Sequence, residues 1–357
     1  MASKHLTRVA IVRCDTHAYW FGVFMDECDP LILAQYDDDA PTRASVHDYF
    51  KVVGDPRHLK IKRVPGFVIS KVYDRIPEKG LDAHGVPQLQ YGTYPGRAKR
   101  FSETFLSHPK VCDNIAELMK GIDAAYIADS SSPGDGADHL ELVRPFLEKG
   151  IPCFVDKPFA STLADAKEMV RLAKANGTAL MTASILAHTD VGNLFHRRFD
   201  EIGQVGLIVV KGIGSANGAV IHGLGLAQGL VGYGVEWVEC LGSIPQECML
   251  LHYPNGLEAF VLNAPDAVFP RTCSFYCSAF SNQGAIHSPP IGDPEFHTGT
   301  RRIVELFRQM IDTGKPPIPY EHVLEPIAII EASRIAQKEG RRVTLREVHE
   351  ACDRRSR

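Results

Sequence analysis

The sequence predicts an α/β protein, in which a doubly wound parallel sheet is followed by a second α/β domain with an open, mostly antiparallel sheet. In the first half of the chain, short apolar strands alternate with amphipathic helices, as in doubly wound parallel sheets. After about residue 205, strand-like runs follow one another with turns between them. The 357 residues suffice for about two domains. We therefore predict a first domain over residues 6–160 and a second over 161–357.

The first half begins with a short strand, a helix and a long irregular excursion before its second convincing strand. Residues 123–129, 139–149 and 151–155 then read as strand, helix and strand, which is a βαβ unit. Gly177 ends the next helix. The remaining predicted elements are a strand over 9–12, a helix over 18–25, a strand over 66–74, a loop over 77–97, and helices over 107–119 and 162–176, followed by a strand over 179–184.

The second half has a different pattern, with strands predominating until the last helices. The sequence Pro254-Asn255-Gly256 predicts a hairpin turn between two of these strands. The predicted strands cover 205–211, 235–241, 247–252, 258–263 and 271–279, and the predicted helices cover 301–312 and 323–339.

Composition narrows the class of protein. The formal net charge is −4 from interspersed acids and bases, which argues against a nucleic-acid partner. An apolar run of the ~20 residues that a membrane span needs is absent from the sequence. The N-terminal residues lack a signal-peptide pattern, so we expect a cytoplasmic protein without a membrane partner. Nine cysteines without a CxxC pair favour reduced thiols.

The tripeptide Asp156-Lys157-Pro158 stands directly after the apolar strand at 151–155. A lysine at the carboxyl end of a parallel strand points into the crevice where open α/β sheets bind ligands. The proline restricts its own backbone and that of the lysine, so the approach of the ammonium group is set by the chain. The alternative is a surface lysine that precedes a helix.

Two segments resemble the glucose-fructose oxidoreductase, inositol dehydrogenase and rhizopine catabolism family, Gfo/Idh/MocA. One is the pattern Gly-x-x-x-x-x-acid-Lys-Pro from Gly150 to Pro158, with a helix behind it. The other is Thr313-Gly314-Lys315-Pro316-Pro317, followed by a helix and Glu339-Gly340-Arg341-Arg342-Val343. The resemblance covers the chain from about Ile115 onward. It implies a Rossmann-like first domain, NAD or NADP as cofactor, a carbohydrate substrate and a homodimer or homotetramer.

The resemblance also implies a pair of catalytic residues. Lys157 matches the family lysine that lies between the nicotinamide and the substrate, and would polarise the reacting oxygen. His222 matches a histidine of the second domain that often carries the proton. Relatives usually have an aspartate four residues earlier, where this chain has Gly218. The alternative for His222 is a histidine satisfied inside its domain.

The chain departs from the family at the first turn. Arg13, Asp15 and Ala18 occupy the three glycine positions of the Gly-x-Gly-x-x-Gly loop, which normally lets the backbone approach a pyrophosphate. Some divergent members resemble this Asp-Thr-His turn, and there Thr16 and His17 could replace glycine amides as phosphate or substrate donors. The alternative is a purely structural turn that binds nothing.

Further cofactor contacts are predicted at the ends of the later strands. Asp74 is the candidate for the adenosine ribose, although a turn-forming aspartate is an equal alternative. Asp138 is expected to cap the next helix. Arg97, Lys99 and Arg100 are read as a solvated loop that could also offer charge to a phosphate. The histidines of the second half show no metal-ligand spacing, so no metal is expected. The other candidate cofactor contacts are Asp129, Ser130, Ser131, His139, Asp156 and Pro158.

The resemblance therefore implies an NAD(P)-dependent oxidoreductase that acts on a sugar, a polyol or a sugar acid. Two alternatives stay open. The absent glycines are compatible with a sugar-binding regulatory or scaffold protein that has lost the cofactor. A lyase or isomerase that uses nicotinamide transiently would carry the same residues.

Overall fold

The computed structural model describes residues 6–35, 46–52, 54–74, 96–128, 136–214, 217–242, 247–263 and 274–355. The chain forms two compact units. The predicted domain boundary at residue 160 itself stays a prediction. The first unit contains Met1–Lys157, Glu168–Thr182 and Ile303–Pro317, and the second contains Pro158–Lys167, Ala183–Arg302 and Ile318–Arg357.

The strands divide between a parallel and a mixed sheet, with a small separate hairpin. They are β1 Thr7–Val12, β2 Lys51–Val52, β3 Asp55–Leu59, β4 Phe67–Tyr73, β5 Lys110–Val111, β6 Ala124–Ile127, β7 Cys153–Val155, β8 Leu180–Met181, β9 Leu207–Lys211, β10 Trp237–Leu241, β11 Cys248–His252, β12 Glu258–Leu262, β13 Tyr276–Ser281, β14 Gly284–His287 and β15 Val343–Thr344.

The described helices range from single turns to long rods. They are α1 Thr16–Met25, α2 Pro30–Ala34, α3 Asp48–Phe50, α4 Arg97–Thr104, α5 Ile115–Leu118, α6 His139–Glu148, α7 Leu163–Ala175, α8 Asp190–Arg197, α9 Asn217–Val231, α10 Asp293–Thr313, α11 Tyr320–Glu339 and α12 Leu345–Arg355. Two 3-10 helices, Ile185–His188 and Arg198–Glu201, flank α8.

The first unit is built on a six-stranded sheet in the order β5-β4-β1-β6-β7-β8, and each described pairing in it is parallel. β6 and β7 are buried along their whole length, which is why both read as continuous apolar runs. Tyr126 and Phe154 stack on neighbouring strands with their ring centres 4.5 Å apart. The doubly wound parallel sheet and its βαβ unit are confirmed.

Two local predictions in the first unit are wrong. Residues 107–119 do not form one helix but contain β5 and the short helix α5. Pro109 lacks the N–H that a helix interior needs, and Asn114 caps a new helix by accepting a hydrogen bond from the Glu117 N–H at 2.9 Å. The excursion before β4 is not entirely irregular either, because it carries the antiparallel hairpin of β2 and β3.

The second unit is built on a seven-stranded sheet in the order β14-β13-β9-β12-β11-β10-β15. Each described pairing is antiparallel except that of β9 with β12, so the predicted mostly antiparallel sheet is confirmed. Gly256, with φ 83°, makes the predicted turn between β11 and β12. Sequence analysis missed the short strands β14 and β15, whose patterns cover only 4 and 2 residues.

Burial alternates along the central strands of the second sheet. In β9, Ile208 and Val210 are buried while Leu207, Val209 and Lys211 remain half exposed. Such alternation means that one face packs on the core and the other is left open. The half-exposed face also carries apolar side chains from the neighbouring strands, including Leu250 and Phe260, which are opposite one another in the register.

None of the described helices combines the length and the apolar character needed to cross a membrane. The cysteines in the described part of the chain are unpaired.

The buried His297 of α10 makes the second unit sensitive to acid. Burial lowers the pKa of His297 from its ordinary value of 6.5 to about 4. The folded state therefore resists a proton that the unfolded chain accepts, so stability is full above about pH 6.5 and falls as the pH drops toward 4. We expect a loss of about 3 kcal/mol across this window from His297 alone.

Chemical unfolding at a series of pH values tests this expectation. His297→Asn should show a shallower decline of the unfolding free energy between pH 6.5 and 4 than the wild type. His58→Asn, which alters a side chain that is 72% exposed, is the matched control and should keep the wild-type slope. Equal slopes for all three proteins would contradict the prediction.

Candidate active site

Polar side chains follow β1, β4 and β7 at the carboxyl edge of the parallel sheet. β4 and β1 are neighbours in the sheet, and β6 lies between β1 and β7, so the residues that follow these strands share one edge. This edge is where open α/β sheets bind ligands. The predicted residues Asp15, Thr16 and His17 follow β1, Asp74 follows β4, and Asp156 and Lys157 follow β7.

Lys157 is the second residue after β7 and is buried, with 7% of its surface exposed. The backbone N–H of Asp156 donates to the carbonyl oxygen of Ile127 at 2.9 Å, so the sheet ladder continues to the residue before the lysine. The backbone at Lys157 is thus anchored by its neighbour. The alternative of a surface lysine is wrong, while the catalytic role of Lys157 stays a prediction.

Asp156 is bonded to His17. Their side-chain atoms Oδ2 and Nδ1 are 2.5 Å apart, and the carboxylate is 1% exposed. His17 comes from the first turn of α1, which follows β1, and Asp156 follows β7, so this bond connects the ends of two strands that have β6 between them. Sequence analysis placed both residues at the cofactor, but it did not pair them.

In the first turn, Arg13 adopts a backbone conformation that is typical of glycine, although its side chain is large. Arg13 has φ 71°, a left-handed conformation that glycine adopts readily and other residues rarely adopt. Its side chain is 1% exposed, and Nη2 donates to Oδ2 of Asp138 at 2.6 Å. A buried charge is tolerated only when it is paired, so each residue depends on the other.

The prediction that the Asp138 side chain caps α6 is wrong. Asp138 occupies the N-cap position of α6, but its side chain makes no capping hydrogen bond there. Its carboxylate binds Arg13 instead, because the buried guanidinium is a stronger donor than a backbone amide. His139, the first residue of α6, is fully buried.

Asp15 is the N-cap of α1. Its side chain accepts a hydrogen bond from the His17 N–H at 2.9 Å. The partial positive charge of the helix N-terminus is therefore already compensated by a carboxylate of the protein. Thr16, the first residue of the helix, is buried.

Asp74 is bonded to Arg97 through both carboxylate oxygens. Nε and Nη2 of Arg97 donate at 2.6 and 2.9 Å. Although burial disfavours the charged guanidinium, these bonds and the charge of Asp15 hold the pKa of Arg97 above its ordinary value. The prediction that residues 97–100 form a loop is wrong, since Arg97 begins α4. Asp74 is neither a simple turn former nor a freely available ribose acceptor.

Two uncharged groups share this edge. Burial raises the pKa of Cys14 well above its ordinary value, and the charge of Asp74 adds to the effect. Burial likewise raises the pKa of Tyr126, and the charges of Asp156 and Asp15 act in the same direction. Both groups therefore stay neutral, and the charge of the site resides in its aspartates, arginines and lysine. The predicted residues Asp129, Ser130 and Ser131 lie outside the described residues.

The second unit holds His222, half buried within α9. Its Nδ1 is 3.2 Å from the hydroxyl oxygen of Ser184. Gly225 makes this approach possible, since a Cβ there would lie 2.5 Å from the Cβ of Ser184. At Gly229, one turn later, a Cβ would lie 3.0 Å from the backbone of Ala187. The glycines allow α9 to pack tightly on the segment that carries Ser184.

Comparison with known proteins agrees with this geometry. Residues 62–184 match the model of the Gfo/Idh/MocA family, described as an oxidoreductase family with an NAD-binding Rossmann fold. This segment is similar to that family. The match includes β4, β6, β7 and the Asp156-Lys157-Pro158 motif, and it covers about a third of the chain. The inferred family, the oxidoreductase class and the nicotinamide cofactor are confirmed at this level.

Solved Gfo/Idh/MocA-like structures share the fold over nearly the whole chain. An oxidoreductase from Agrobacterium radiobacter, in complex with NAD⁺, L-tartaric acid and magnesium, is 15% identical with a TM-score of 0.66, covering 95% of this chain and 98% of that one. A myo-inositol dehydrogenase from Corynebacterium glutamicum is 14% identical with a TM-score of 0.64, covering 95% and 99%. Myo-inositol 2-dehydrogenase from Lactobacillus plantarum is 14% identical with a TM-score of 0.63, covering 95% and 99%.

The family's usual grip on the cofactor phosphates does not fit the first turn of this chain. That grip needs glycines and a free helix N-terminus, because the pyrophosphate rests on backbone amides. Here Asp15 already bonds the amide of His17, and Arg13 and Arg97 are engaged by Asp138 and Asp74. A pyrophosphate at this position would meet the carboxylate of Asp15 and would have to displace it.

Removing that carboxylate should strengthen dinucleotide binding. We expect Asp15→Gly to bind NADH about tenfold more tightly than the wild type, equal to about 1.4 kcal/mol, because repulsion is removed and the amide is released. The loss of the cap should cost only a few tenths of a kcal/mol of stability. Titration followed by nicotinamide fluorescence measures the affinity.

Asp29→Gly provides the control. Asp29 caps α2 by accepting hydrogen bonds from the N–H groups of Leu31 and Ile32, so the same substitution is made at a different helix. Its NADH affinity should equal that of the wild type. Unchanged or weaker binding by Asp15→Gly would show that the carboxylate does not oppose the phosphates.

Proposed function

We propose that this protein is an NAD(P)-dependent oxidoreductase that interconverts an alcohol and a carbonyl group on a sugar, a polyol or a sugar acid. The observation that carries the proposal is Lys157, buried at the end of β7 in the segment that matches the oxidoreductase family. Two of the structural relatives described above are myo-inositol dehydrogenases, which supports a polyol as the first substrate class to test.

Lys157 is assigned the polarisation of the reacting oxygen. An ammonium group in a site that excludes water stabilises negative charge on an oxygen far better than it would in bulk water. The near-complete burial of Lys157 and the anchored backbone of Asp156 support this role. The ammonium group does not have to be reoriented when negative charge develops on the reacting oxygen.

His222 is assigned the exchange of the substrate proton. His222 is half buried, and the hydroxyl of Ser184 orients its Nδ1. The position four residues earlier is Gly218, so the carboxylate found there in relatives is missing. A hydroxyl orients the imidazole without stabilising its positive charge as a carboxylate would.

A second candidate function is a carbohydrate-binding protein of the same fold that does not use a dinucleotide. The capping carboxylate of Asp15 and the two paired arginines favour it, because together they compensate the charges that would bind phosphates. Saturable binding of NADH or NADPH to the wild-type protein would exclude this function. A lyase or isomerase that uses nicotinamide transiently would form product without net release of NADH.

We also propose that copies of the chain pair through the open face of the second sheet, as a homodimer or within a homotetramer. Val209, Leu250 and Phe260 form a row across three neighbouring strands on that face. Leu241 and Leu262 beside them are 51% and 40% exposed. An apolar surface of this kind is typical of subunit interfaces.

Substitution of Lys157 tests the proposed reaction. Purified protein is incubated with NAD⁺ or NADP⁺ and a panel of polyols, aldoses and sugar acids that includes myo-inositol, and nicotinamide absorbance is followed. We expect turnover by the wild type on at least one member, and a loss of about 10²- to 10³-fold in kcat for Lys157→Ala.

Lys149→Ala is the matched control, because Lys149 is an exposed lysine at the end of α6. It should keep wild-type turnover. Full activity of Lys157→Ala would remove the lysine from the chemistry, and an inactive wild type across the panel would overturn the proposed function.

A charge on the open face tests the proposed pairing. Leu250→Glu should shift the molar mass measured by light scattering toward that of one chain, because the carboxylate would be buried without a partner. Leu194→Glu, which alters a leucine that is 59% exposed on α8, should keep the wild-type mass. A monomeric wild type, or an unchanged mass for Leu250→Glu, would contradict the pairing.

A further inference from the structure

The bond between His17 and Asp156 has the arrangement of a carboxylate-oriented acid–base histidine. Asp156 Oδ2 and His17 Nδ1 are 2.5 Å apart, and Asp156 is almost fully buried. The second carboxylate oxygen, Oδ1, is buried and has no hydrogen-bond partner among the described residues. A buried carboxylate with so few donors depends strongly on the one that it has. The hydrogen bond from His17 therefore stabilises the buried carboxylate of Asp156.

This dependence determines which nitrogen of the ring carries the proton. An ionised carboxylate only accepts hydrogen bonds, so Nδ1 must hold the hydrogen. In the neutral imidazole, Nε2 then carries the lone pair. Within the described part of the chain Nε2 has no hydrogen-bond partner, and 13% of the side chain is exposed. The ring thus keeps a basic nitrogen on a partly exposed side chain while its other nitrogen is anchored.

The ring is also fixed in orientation. The His17 backbone N–H is held by the Asp15 carboxylate, which places the residue in the first turn of α1. The imidazole stacks on the Trp20 ring with centres 5.5 Å apart and an interplanar angle of 12°. Phe21 closes a further side at 6.3 Å. A base held in one orientation exchanges a proton without first being ordered.

The position suits the chemistry proposed for Lys157. Asp156 is the residue directly before the lysine, and His17 follows β1, which is separated from β7 by β6. Position 218 before His222 is a glycine, whereas His17 has the carboxylate of Asp156 bonded to its ring. Buried carboxylate, oriented imidazole and free second nitrogen are the parts of a general base with its orienting group.

We propose that His17 is a further catalytic residue that accepts the substrate proton in place of His222: its Nε2 takes the proton of the substrate hydroxyl and returns it in the reverse reaction, with Asp156 stabilising the imidazolium. The proton leaves the hydroxyl oxygen and joins Nε2, and the positive charge that forms on the ring is balanced by the carboxylate. The redox part of the reaction rests on the proposed function.

The variant His17→Asn tests the proton exchange separately from the structural bond. Its side-chain amide nitrogen lies where Nδ1 lies in histidine, so it still donates to Asp156, but it cannot take up a proton. On a substrate found in the panel above, we expect kcat to fall by about 10²- to 10⁴-fold with KM changed less than about threefold. The melting temperature should stay close to that of the wild type. His58→Asn, at an exposed histidine, should behave as the wild type.

Nitrogen-15 NMR of the full-length protein labelled at histidine gives a second readout that does not require turnover. The His17 signals are assigned by their absence in His17→Asn. Above neutral pH we expect the hydrogen on Nδ1, and we expect Nε2 to shift when a panel compound such as myo-inositol is added. Asp156→Asn should weaken the preference for the Nδ1–H tautomer.

The outcomes separate the two proposals. Turnover by His17→Asn within about threefold of the wild type would overturn the role of His17 and leave the oxidoreductase function intact. A hydrogen on Nε2 would overturn it as well. If the wild type turns over none of the panel, the proposed function fails, and the NMR titration decides the role of His17. A shift of the Nε2 signal supports that role. An Nε2 signal that does not move throughout the panel overturns it.

Discussion

Buried charge at the carboxyl edge of the parallel sheet has to be compensated by the protein itself, and the geometry of the candidate site follows from that constraint. Asp74, Asp138 and Asp156 are each bonded to a basic side chain, namely Arg97, Arg13 and His17. Because charges removed from water are costly unless they are paired, these contacts fix the strand-end loops relative to one another. Asp15 adds a fourth carboxylate, which is satisfied by the amide at the start of α1.

The same pairs distinguish this site from the Rossmann folds that it resembles. A glycine-rich turn leaves backbone amides and a helix N-terminus unsatisfied, so that the phosphates of a dinucleotide complete them. Here the carboxylate of Asp15 already satisfies an amide at the start of α1, so the protein itself supplies negative charge where the phosphates would. The site also holds the ammonium group of a buried lysine and an imidazole fixed in orientation, which suit proton and charge exchange with a neutral hydroxyl compound.

The sequence was sufficient for the architecture but not for the contacts of the site. The apolar runs of β6 and β7 and the hairpin turn at Gly256 are strong local signals, and both sheets followed from them. The helix expected over 107–119 failed because apolar periodicity outweighed Pro109 in that interpretation. The pairs of Arg13 with Asp138 and of Arg97 with Asp74 join positions 125 and 23 residues apart. Local pattern carries no information on such pairs, and Asp138 beside a helix start was naturally read as a cap.

The bond between Arg13 and Asp138 makes it costly to replace either residue alone. A non-glycine residue in the left-handed region costs roughly 1–2 kcal/mol, so a return to glycine would relax the backbone. It would also leave Asp138 buried without its guanidinium, and breaking such a pair costs about 3–5 kcal/mol. Neither residue can be exchanged alone without a net loss of stability. Proteins that descend from this chain should therefore keep both residues or replace both. The two positions should covary because of that bond.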